Sequence, residues 1–151
     1  MTDKSNEVVI VSAIRTPIGS YKGSLKDISS HQLGSIVIKE VLKKSKFAKD
    51  EIDEVIFGQV LTAGVGQNPA RQAAINAGIP ISKPAHVINQ VCGSGLRAVI
   101  SGYQSIKLGD SLNVISGGQE NMSIAPHSIF FRDQKKISED KLLDTMINDG
   151  L

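Results

Sequence analysis

The sequence predicts an α/β fold in which a mixed, mainly parallel sheet carries helices packed on it. Strand-like and helix-like segments alternate in the order β-α-β-α-β-α-β, and all of them lie before residue 119. The strand-like segments are nearly continuous apolar runs, as expected for parallel strands that are buried on both faces. The intervening helices supply the crossover connections that parallel strands need. A length of 151 residues suits one domain with a sizeable core.

The first strand is predicted over residues 7–14, where the run EVVIVSAI is rich in β-branched residues. A loop that contains proline and glycine follows. A helix is predicted over residues 30–45, because apolar residues recur there at helical spacing. The residues of its predicted apolar face are Leu33, Ile36, Val37 and Val41.

The second strand is predicted over residues 54–61 and leads into the loop TAGVGQ. This loop invites comparison with phosphate-binding loops, but Pro69 replaces the last glycine of the dinucleotide-binding pattern, and no Gly-Lys-Ser/Thr follows. A capped helix start is the better interpretation, with Asn68 as the N-cap and Pro69 at the first helical position. Gly78 is predicted to end that helix.

The third strand is predicted over residues 85–91 and the fourth over residues 111–118. Between them lies a helix that is predicted to end near Gly109. Its predicted inner face consists of Leu96, Val99, Ile100 and Tyr103. After Gly118 no sustained period is found, which is typical of a long functional loop or of a segment that packs on a partner.

Composition and charge exclude several classes of function. The net charge is +2, from 17 basic and 15 acidic residues, so no general attraction to nucleic acid or to anionic membranes is expected. No apolar run approaches the length of a membrane span. The single cysteine excludes an internal disulfide, and no cluster of cysteine and histidine predicts a metal site. The sequence therefore predicts a cytoplasmic protein, or one of an organelle matrix if a leader precedes it.

The candidate catalytic residue is Cys92, which lies between the third strand and the next helix in the segment NQVCGSGLRAV. Such a position projects at the carboxyl edge of a parallel sheet, where α/β proteins form their sites. The N–H groups of the first helical turn favour a thiolate, and the backbone N–H of Cys92 is placed to hold a developing oxyanion. The residues alone leave a second interpretation open, a buried structural thiol, because free cysteines are often buried.

Several segments of the chain resemble the thiolases, the family of acetyl-CoA acetyltransferases and 3-ketoacyl-CoA thiolases. The segment NQVCGSGLRAV is similar to the nucleophile motif of that family. The other matching segments are VIVSAIRTPIGSYKGSL, GQVLTAGVGQNPARQAA, SGGQENMSIAPH and LLDTMINDGL, and they occur in the family's order. The resemblance therefore covers the whole chain, and it is nearest to the branch that forms acetoacetyl-CoA.

The resemblance implies acyl transfer between coenzyme A (CoA) thioesters, which act as substrates, and it implies no further cofactor. Cys92 matches the cysteine that takes an acyl group from acyl-CoA and passes it to the α-carbon of a second acetyl-CoA. In the reverse direction the same residue accepts the acyl group released by thiolysis of a 3-ketoacyl-CoA. The backbone N–H of Cys92 matches a donor of one oxyanion hole. Leu151 matches a position near the pantetheine arm of CoA.

The resemblance also implies a domain organisation. Residues 1–118 match the N-terminal half-domain, and residues 119–151 match the beginning of a loop region linked to CoA binding and tetramer assembly. The strand at residues 85–91 matches the one that pairs across the family's dimer, so a homo-oligomer, dimer or tetramer, is expected. The activating His, an Asn and a second, proton-transferring Cys belong to a C-terminal half that the sequence does not contain. The isolated chain is therefore expected to show little or no activity.

Other functions remain as alternatives. The 151 residues are compatible with a catalytically silent binding or assembly fragment, which would form oligomers without turnover. A ketoacyl-synthase relative that acts on carrier-bound acyl groups is a weaker match, because VCGSGLRA and its flanking segments fit thiolases better. A 3-ketoacyl-CoA thiolase of broader chain length is a further alternative within the family.

Overall fold

A three-stranded parallel sheet organises the computed structural model of the chain, which describes residues 7–130 and 142–151. The strands are β1 (Glu54–Gly58), β2 (Ala85–Ile88) and β3 (Val114–Gly118). β1 lies at the centre, paired in parallel with β2 on one side and with β3 on the other. Each crossover between these strands contains a helix, so the predicted α/β fold with parallel strands is confirmed. All three strands are shorter than predicted.

The predicted strand over residues 7–14 is wrong. The segment has no regular secondary structure, and the apolar side chains at its centre, residues 9–11, are exposed; Ile10 is 80% accessible to solvent. A β-branched run favours an extended backbone, but a strand also needs a neighbouring strand edge and a face to bury. The described sheet consists of β2, β1 and β3, and residues 7–14 pair with neither of its edge strands.

Helix α1 spans Ser30–Ser45, the range that was predicted. Ser29 caps it in a capping box with Gln32, in which the Gln32 N–H donates to the Ser29 hydroxyl and the Ser29 N–H donates to the Gln32 side chain. The predicted apolar face is only partly correct: Val37 packs against the core, but the buried face is centred on Ile38 and Leu42, and Ile36 is exposed. The sequence therefore predicts the helix correctly but not its orientation.

Helix α2 spans Pro69–Ala77 and begins and ends as predicted. The Asn68 side chain accepts the Arg71 N–H at 3.0 Å, and its amide donates to the Ala85 carbonyl at 2.8 Å. The N-cap thus ties the start of α2 to the start of β2. Gly78, in the left-handed conformation with φ 88°, ends the helix. The glycine-containing loop before α2 is accordingly part of a capped helix start and not of a phosphate loop.

Helix α3 spans Ser94–Leu108 and ends at Gly109, as predicted, but its predicted inner face is wrong. The buried residues are small: Ser94, Ala98 and Gly102. The larger apolar residues predicted to face inward are exposed, and Leu96 is 69% accessible to solvent. A Cβ on Gly102 would lie only 2.3 Å from the Ser116 hydroxyl oxygen, so the helix lies too close to the sheet for a large side chain.

The core lies on the face of the sheet opposite α3. Alternate residues of a strand point to opposite faces, so Val55 and Phe57 of β1 share one face with Ile115 of β3. These side chains pack against the alanines of α2, and α1 packs on α2 in turn. The molecule thus has three layers, with α1 and α2 on one face of the sheet and α3 on the other.

The chain after β3 contains short elements. These are a 3₁₀ turn at Met122–Ile124, the two-residue strands β4 (His127–Ser128) and β5 (Leu143–Asp144), and helix α4 (Thr145–Gly150). The Asn121 amide donates to the carbonyls of Leu25, Lys26 and Ile28, which fixes the loop before α1 beside the end of β3. Part of the predicted loop region, residues 131–141, lies outside the described residues. Within the described part of the chain, no helix is long and apolar enough to cross a membrane.

Candidate active site

The carboxyl edge of the sheet is where α3 begins, and glycines make this close approach possible. A Cβ on Gly58, the last residue of β1, would lie 2.3 Å from the Ser94 carbonyl carbon and 2.5 Å from the Gly95 nitrogen. A Cβ on Gly118, at the end of β3, would lie 3.2 Å from the Gly95 Cα. The first turn of α3 therefore rests directly on the ends of the two strands, and only glycine at these positions permits it.

Cys92 lies between β2 and α3, at this same edge, as predicted. It precedes Gly93, the N-cap of α3, which offers no side chain to cap the helix. The turn is closed by backbone bonds, in which Gly93 N–H donates to the Gln90 carbonyl at 3.1 Å and Ser94 N–H donates to the Val91 carbonyl at 3.0 Å. The Cys92 thiol is free and exposed, which is inconsistent with a buried core thiol.

The arrangement around Cys92 suits a nucleophile that receives an external substrate. Cys92 is exposed and lies one residue before the N-cap of α3, so an incoming carbonyl compound can reach it. The described residues give the thiol no hydrogen-bonded base: His31 contacts the Ser29 hydroxyl at 3.1 Å, and His86 contacts Glu54 at 3.3 Å. Among the described residues, the geometry thus leaves the thiol accessible and pairs it with no activating side chain.

Glu120 is a functional candidate that sequence reasoning missed. Its Oε2 accepts the N–H groups of Val60 at 2.8 Å and Leu61 at 3.2 Å, where the chain leaves β1. Its Oε1 is buried and has no hydrogen-bond partner among the described residues. Burial raises the pKa of Glu120 above its ordinary value of 4.5, although the backbone N–H groups favour the carboxylate. The available signal was an acidic residue two positions after the end of β3, in the segment GGQEN.

We expect the raised pKa of Glu120 to make the stability of the chain depend on pH. The Glu120 carboxyl stays protonated to a higher pH in the folded chain than in the unfolded chain. Protonation of Glu120 therefore contributes to the free energy of unfolding below pH 4.5, and this contribution is lost as pH rises through the raised pKa. Glu120→Gln should therefore flatten this decline in the free energy of unfolding, measured by urea denaturation over a pH series. The matched control is Glu40→Gln, which removes a carboxylate from an exposed pair with Lys43. An unchanged decline in Glu120→Gln would contradict the prediction.

Leu151 lies at the C-terminal end of α4 and is 81% exposed. The preceding Gly150 lies against the chain that leaves β1, because a Cβ on Gly150 would be 3.0 Å from the Leu61 side chain. The structure therefore brings the end of α4 to the segment that Glu120 also holds, on the carboxyl side of the sheet. This placement is compatible with the substrate-binding position predicted for Leu151 but does not test it.

An open groove of about 600 Å³ lies at the opposite, amino end of the sheet, away from Cys92. Several of its polar side chains are paired with one another: Glu54 contacts His86, and the Ser105 hydroxyl donates to Glu54 at 3.2 Å. Asp53 lies 3.5 Å from Lys83 and accepts two backbone N–H groups, which lower its pKa. The groove is therefore explained by structural pairing. In the described ranges no three His, Cys, Asp or Glu residues are grouped as metal ligands.

Comparison with known proteins gives a consistent result over the whole chain. The family model "Thiolase, N-terminal domain" matches residues 8–151. The cytosolic acetyl-CoA acetyltransferase of Rattus norvegicus is 54% identical over 151 residues, which is 100% of this chain and 38% of the relative. The acetyl-CoA acetyltransferase of Paracoccus denitrificans is 52% identical over 145 residues, which is 96% of this chain and 37% of the relative.

These matches agree with the α/β fold of the chain. The acetyl-CoA acetyltransferase of Cupriavidus necator is also similar, with 54% identity over 146 residues. The chain spans less than two fifths of the length of these curated relatives. Because the family model covers nearly all of the chain and the parallel α/β sheet agrees with it, the chain belongs to the thiolase family, as an N-terminal domain.

Proposed function

We propose that the complete protein containing this chain is an acetyl-CoA C-acetyltransferase that condenses two acetyl-CoA molecules to acetoacetyl-CoA and CoA, or catalyses the reverse thiolysis. The observation that carries the proposal is the exposed thiol of Cys92, presented at the carboxyl edge of the sheet immediately before α3. The similar proteins named acetyl-CoA acetyltransferases support the choice of substrate. A thiol suits this chemistry because it attacks thioesters readily and also leaves readily.

The proposed reaction proceeds through an acyl-cysteine. The Cys92 sulfur attacks the thioester carbonyl of the first acetyl-CoA, a new C–S bond forms, and the bond to the CoA sulfur breaks as CoA leaves. The backbone N–H of Cys92 donates to the oxyanion that develops on the carbonyl. The α-carbon of the second acetyl-CoA, after losing a proton to a base, then attacks the acyl group and displaces the Cys92 thiolate. The family resemblance assigns the base, and the group that activates Cys92, to the C-terminal half.

The remaining parts of the proposal concern substrate binding and assembly. We assign residues 1–118 to the N-terminal half-domain and residues 119–151 to the beginning of the CoA-binding and tetramerisation region, with Leu151 near the pantetheine arm. The contact of Gly150 with the segment after β1 supports this placement of α4. β2 is an edge strand of the described sheet, which supports pairing across a homodimer or homotetramer. A cytosolic location rests on the name of the rat relative.

The test of the acyl-cysteine relies on peptide mass, which distinguishes Cys92, the single cysteine of these 151 residues, from any cysteine of the C-terminal half. The complete protein is mixed with acetyl-CoA, quenched with acid and analysed by intact and peptide mass. We expect one acetyl group on the peptide that contains Cys92, and we expect neutral hydroxylamine to remove it, since a thioester is cleaved where a lysine amide is not. A hydroxylamine-stable label on another residue, without one on Cys92, would refute the mechanism.

A second candidate is a silent assembly fragment, which applies to the 151-residue chain by itself. The exposed apolar residues of α3 and those at positions 9–11 favour it, because exposed apolar side chains are suited to contact with another protein segment. We propose that the chain alone does not turn over. Measurable thiolysis of acetoacetyl-CoA by the purified chain would exclude this candidate, whereas dependence of the complete protein on a carrier protein would favour the ketoacyl-synthase alternative.

A further inference from the structure

The residue before Cys92 has an unfavourable backbone conformation. Val91 has φ 48°, in the left-handed region that β-branched residues strongly avoid. Such a conformation persists only when the surrounding structure holds it, and it is found preferentially where a functional group must be presented in a particular direction. Val91 is the only β-branched residue with positive φ in the described part of the chain. Its side chain is half exposed, so packing of the side chain does not hold the conformation.

The Ser94 hydroxyl holds this turn from the inside. It accepts the Gln90 N–H at 2.8 Å and donates to the Val91 carbonyl at 2.5 Å, so one oxygen joins the residues on either side of the strained φ. The Asn89 side chain accepts the Val91 N–H at 3.0 Å and completes the support. Both peptide groups that flank the Val91 Cα are therefore bonded to side chains of neighbouring residues.

Ser94 is itself fixed by the sheet. It is 4% exposed, and its Cβ would lie 2.6 Å from a Cβ added to Gly58. Because α3 rests on the end of β1 at this point, the Ser94 side chain has little freedom to rotate away from its hydrogen bonds to Gln90 and Val91. The position of the sheet is thus transmitted to the backbone of Val91, and through it to Cys92.

We propose that Ser94 is a positioning residue for Cys92: its hydroxyl keeps Val91 in the left-handed conformation and so presents the thiol before the N-terminus of α3. The proposal rests on the nucleophilic role of Cys92 under the proposed function. Without the hydroxyl, Val91 relaxes toward negative φ, and the thiol moves away from the positive end of the helix.

The test measures the rate at which iodoacetamide alkylates Cys92 in the 151-residue chain, where the single cysteine makes the signal unambiguous. We expect Ser94→Ala to lower the rate roughly three- to ten-fold, the range that the loss of a helix-terminus interaction produces. The matched control is Ser101→Ala, the same substitution in the same helix but at the distant groove, which should leave the rate unchanged. An unchanged rate in folded Ser94→Ala would overturn the proposal.

A second pair of variants separates positioning from general stabilisation. Val91→Gly removes the strain, because glycine adopts positive φ at no steric cost, so adding Ser94→Ala to it should change the alkylation rate less than two-fold. An equal loss in both backgrounds would overturn the proposal. If Ser94→Ala does not fold, the stability of Val91→Gly tests the proposal by itself. We expect the midpoint of thermal unfolding of Val91→Gly to rise above that of the parent chain, and a lower or unchanged midpoint would overturn the proposal. These outcomes do not depend on acetyl transfer, so failure of the acetyl label on Cys92 refutes the proposed function separately.

Discussion

Gly58→Ala is expected to destabilise the chain by about 3 kcal/mol or more, at the upper end of the effects of overpacking. The added methyl group would lie 2.3 Å and 2.5 Å from backbone atoms of Ser94 and Gly95. A side chain that clashed with the added methyl group could change rotamer. The clashing atoms here are backbone atoms in the first turn of α3, and they can move only if the helix moves. A loss of this size is a large fraction of the stability of a typical domain. Urea denaturation, followed by circular dichroism, measures it.

The matched control for this substitution is Gly117→Ala in β3. A Cβ on Gly117 would meet Phe57 at 3.7 Å, which is ordinary van der Waals contact. We expect this variant to stay within about 1 kcal/mol of the parent chain, because neither a clash nor a positive φ is involved. If Gly58→Ala were as stable as Gly117→Ala, the close approach of α3 to β1 would not exist as described, and the placement of Cys92 derived from it would be wrong.

Cys92→Ser is expected to lower kcat of the complete enzyme by roughly 10³-fold or more, as removal of a nucleophile does in other covalent catalysts. The substitution replaces sulfur, which attacks thioesters readily, with a hydroxyl that needs a strong base to do so. The measurement is the thiolysis of acetoacetyl-CoA, followed by its absorbance.

The control for Cys92→Ser is the stability of the variant. Because Cys92 is exposed, the substitution should shift the free energy of unfolding by less than about 0.5 kcal/mol, so a loss of rate cannot be attributed to unfolding. Retention of parental turnover by the serine variant, together with an acetyl label elsewhere in the protein, would remove Cys92 from the mechanism. If the serine variant loses turnover but keeps its fold, the loss of rate is explained by the loss of the Cys92 thiol from the reaction.

The two expectations are connected through the geometry of one edge of the sheet. Gly58 and Gly118 allow the first turn of α3 to rest on the strands, and Ser94 in that turn bonds the backbone beside Cys92. A nucleophile at the end of a strand is held in place by packing below it as well as by its own turn. Stability and reactivity therefore depend here on the same few small residues.

The helices illustrate which features follow from the local sequence. The limits of α2 were predicted because Asn68 and Gly78 act within one turn of the helix that they cap or end, and those of α1 because apolar residues recur at helical spacing only within 30–45. The position of Cys92 between a strand and a helix was predicted for the same reason, since the switch in pattern is local. Whether 7–14 forms a strand is not local, because it depends on a neighbouring strand edge.

The sequence by itself determined the order of the three sheet strands and their crossover helices, the N-cap of α2, the parallel α/β class and the turn that carries Cys92. Only the tertiary structure decided which face of each helix is buried, that residues 7–14 remain unpaired, and that Ser94 and Glu120 lie at the carboxyl edge. The physical reason is the distance between sheet and helix: glycines in β1 and β3 bring α3 so close that small residues, not the large apolar ones, form its inner face. Periodicity reports that a helix has an apolar side, but only packing determines what that side meets.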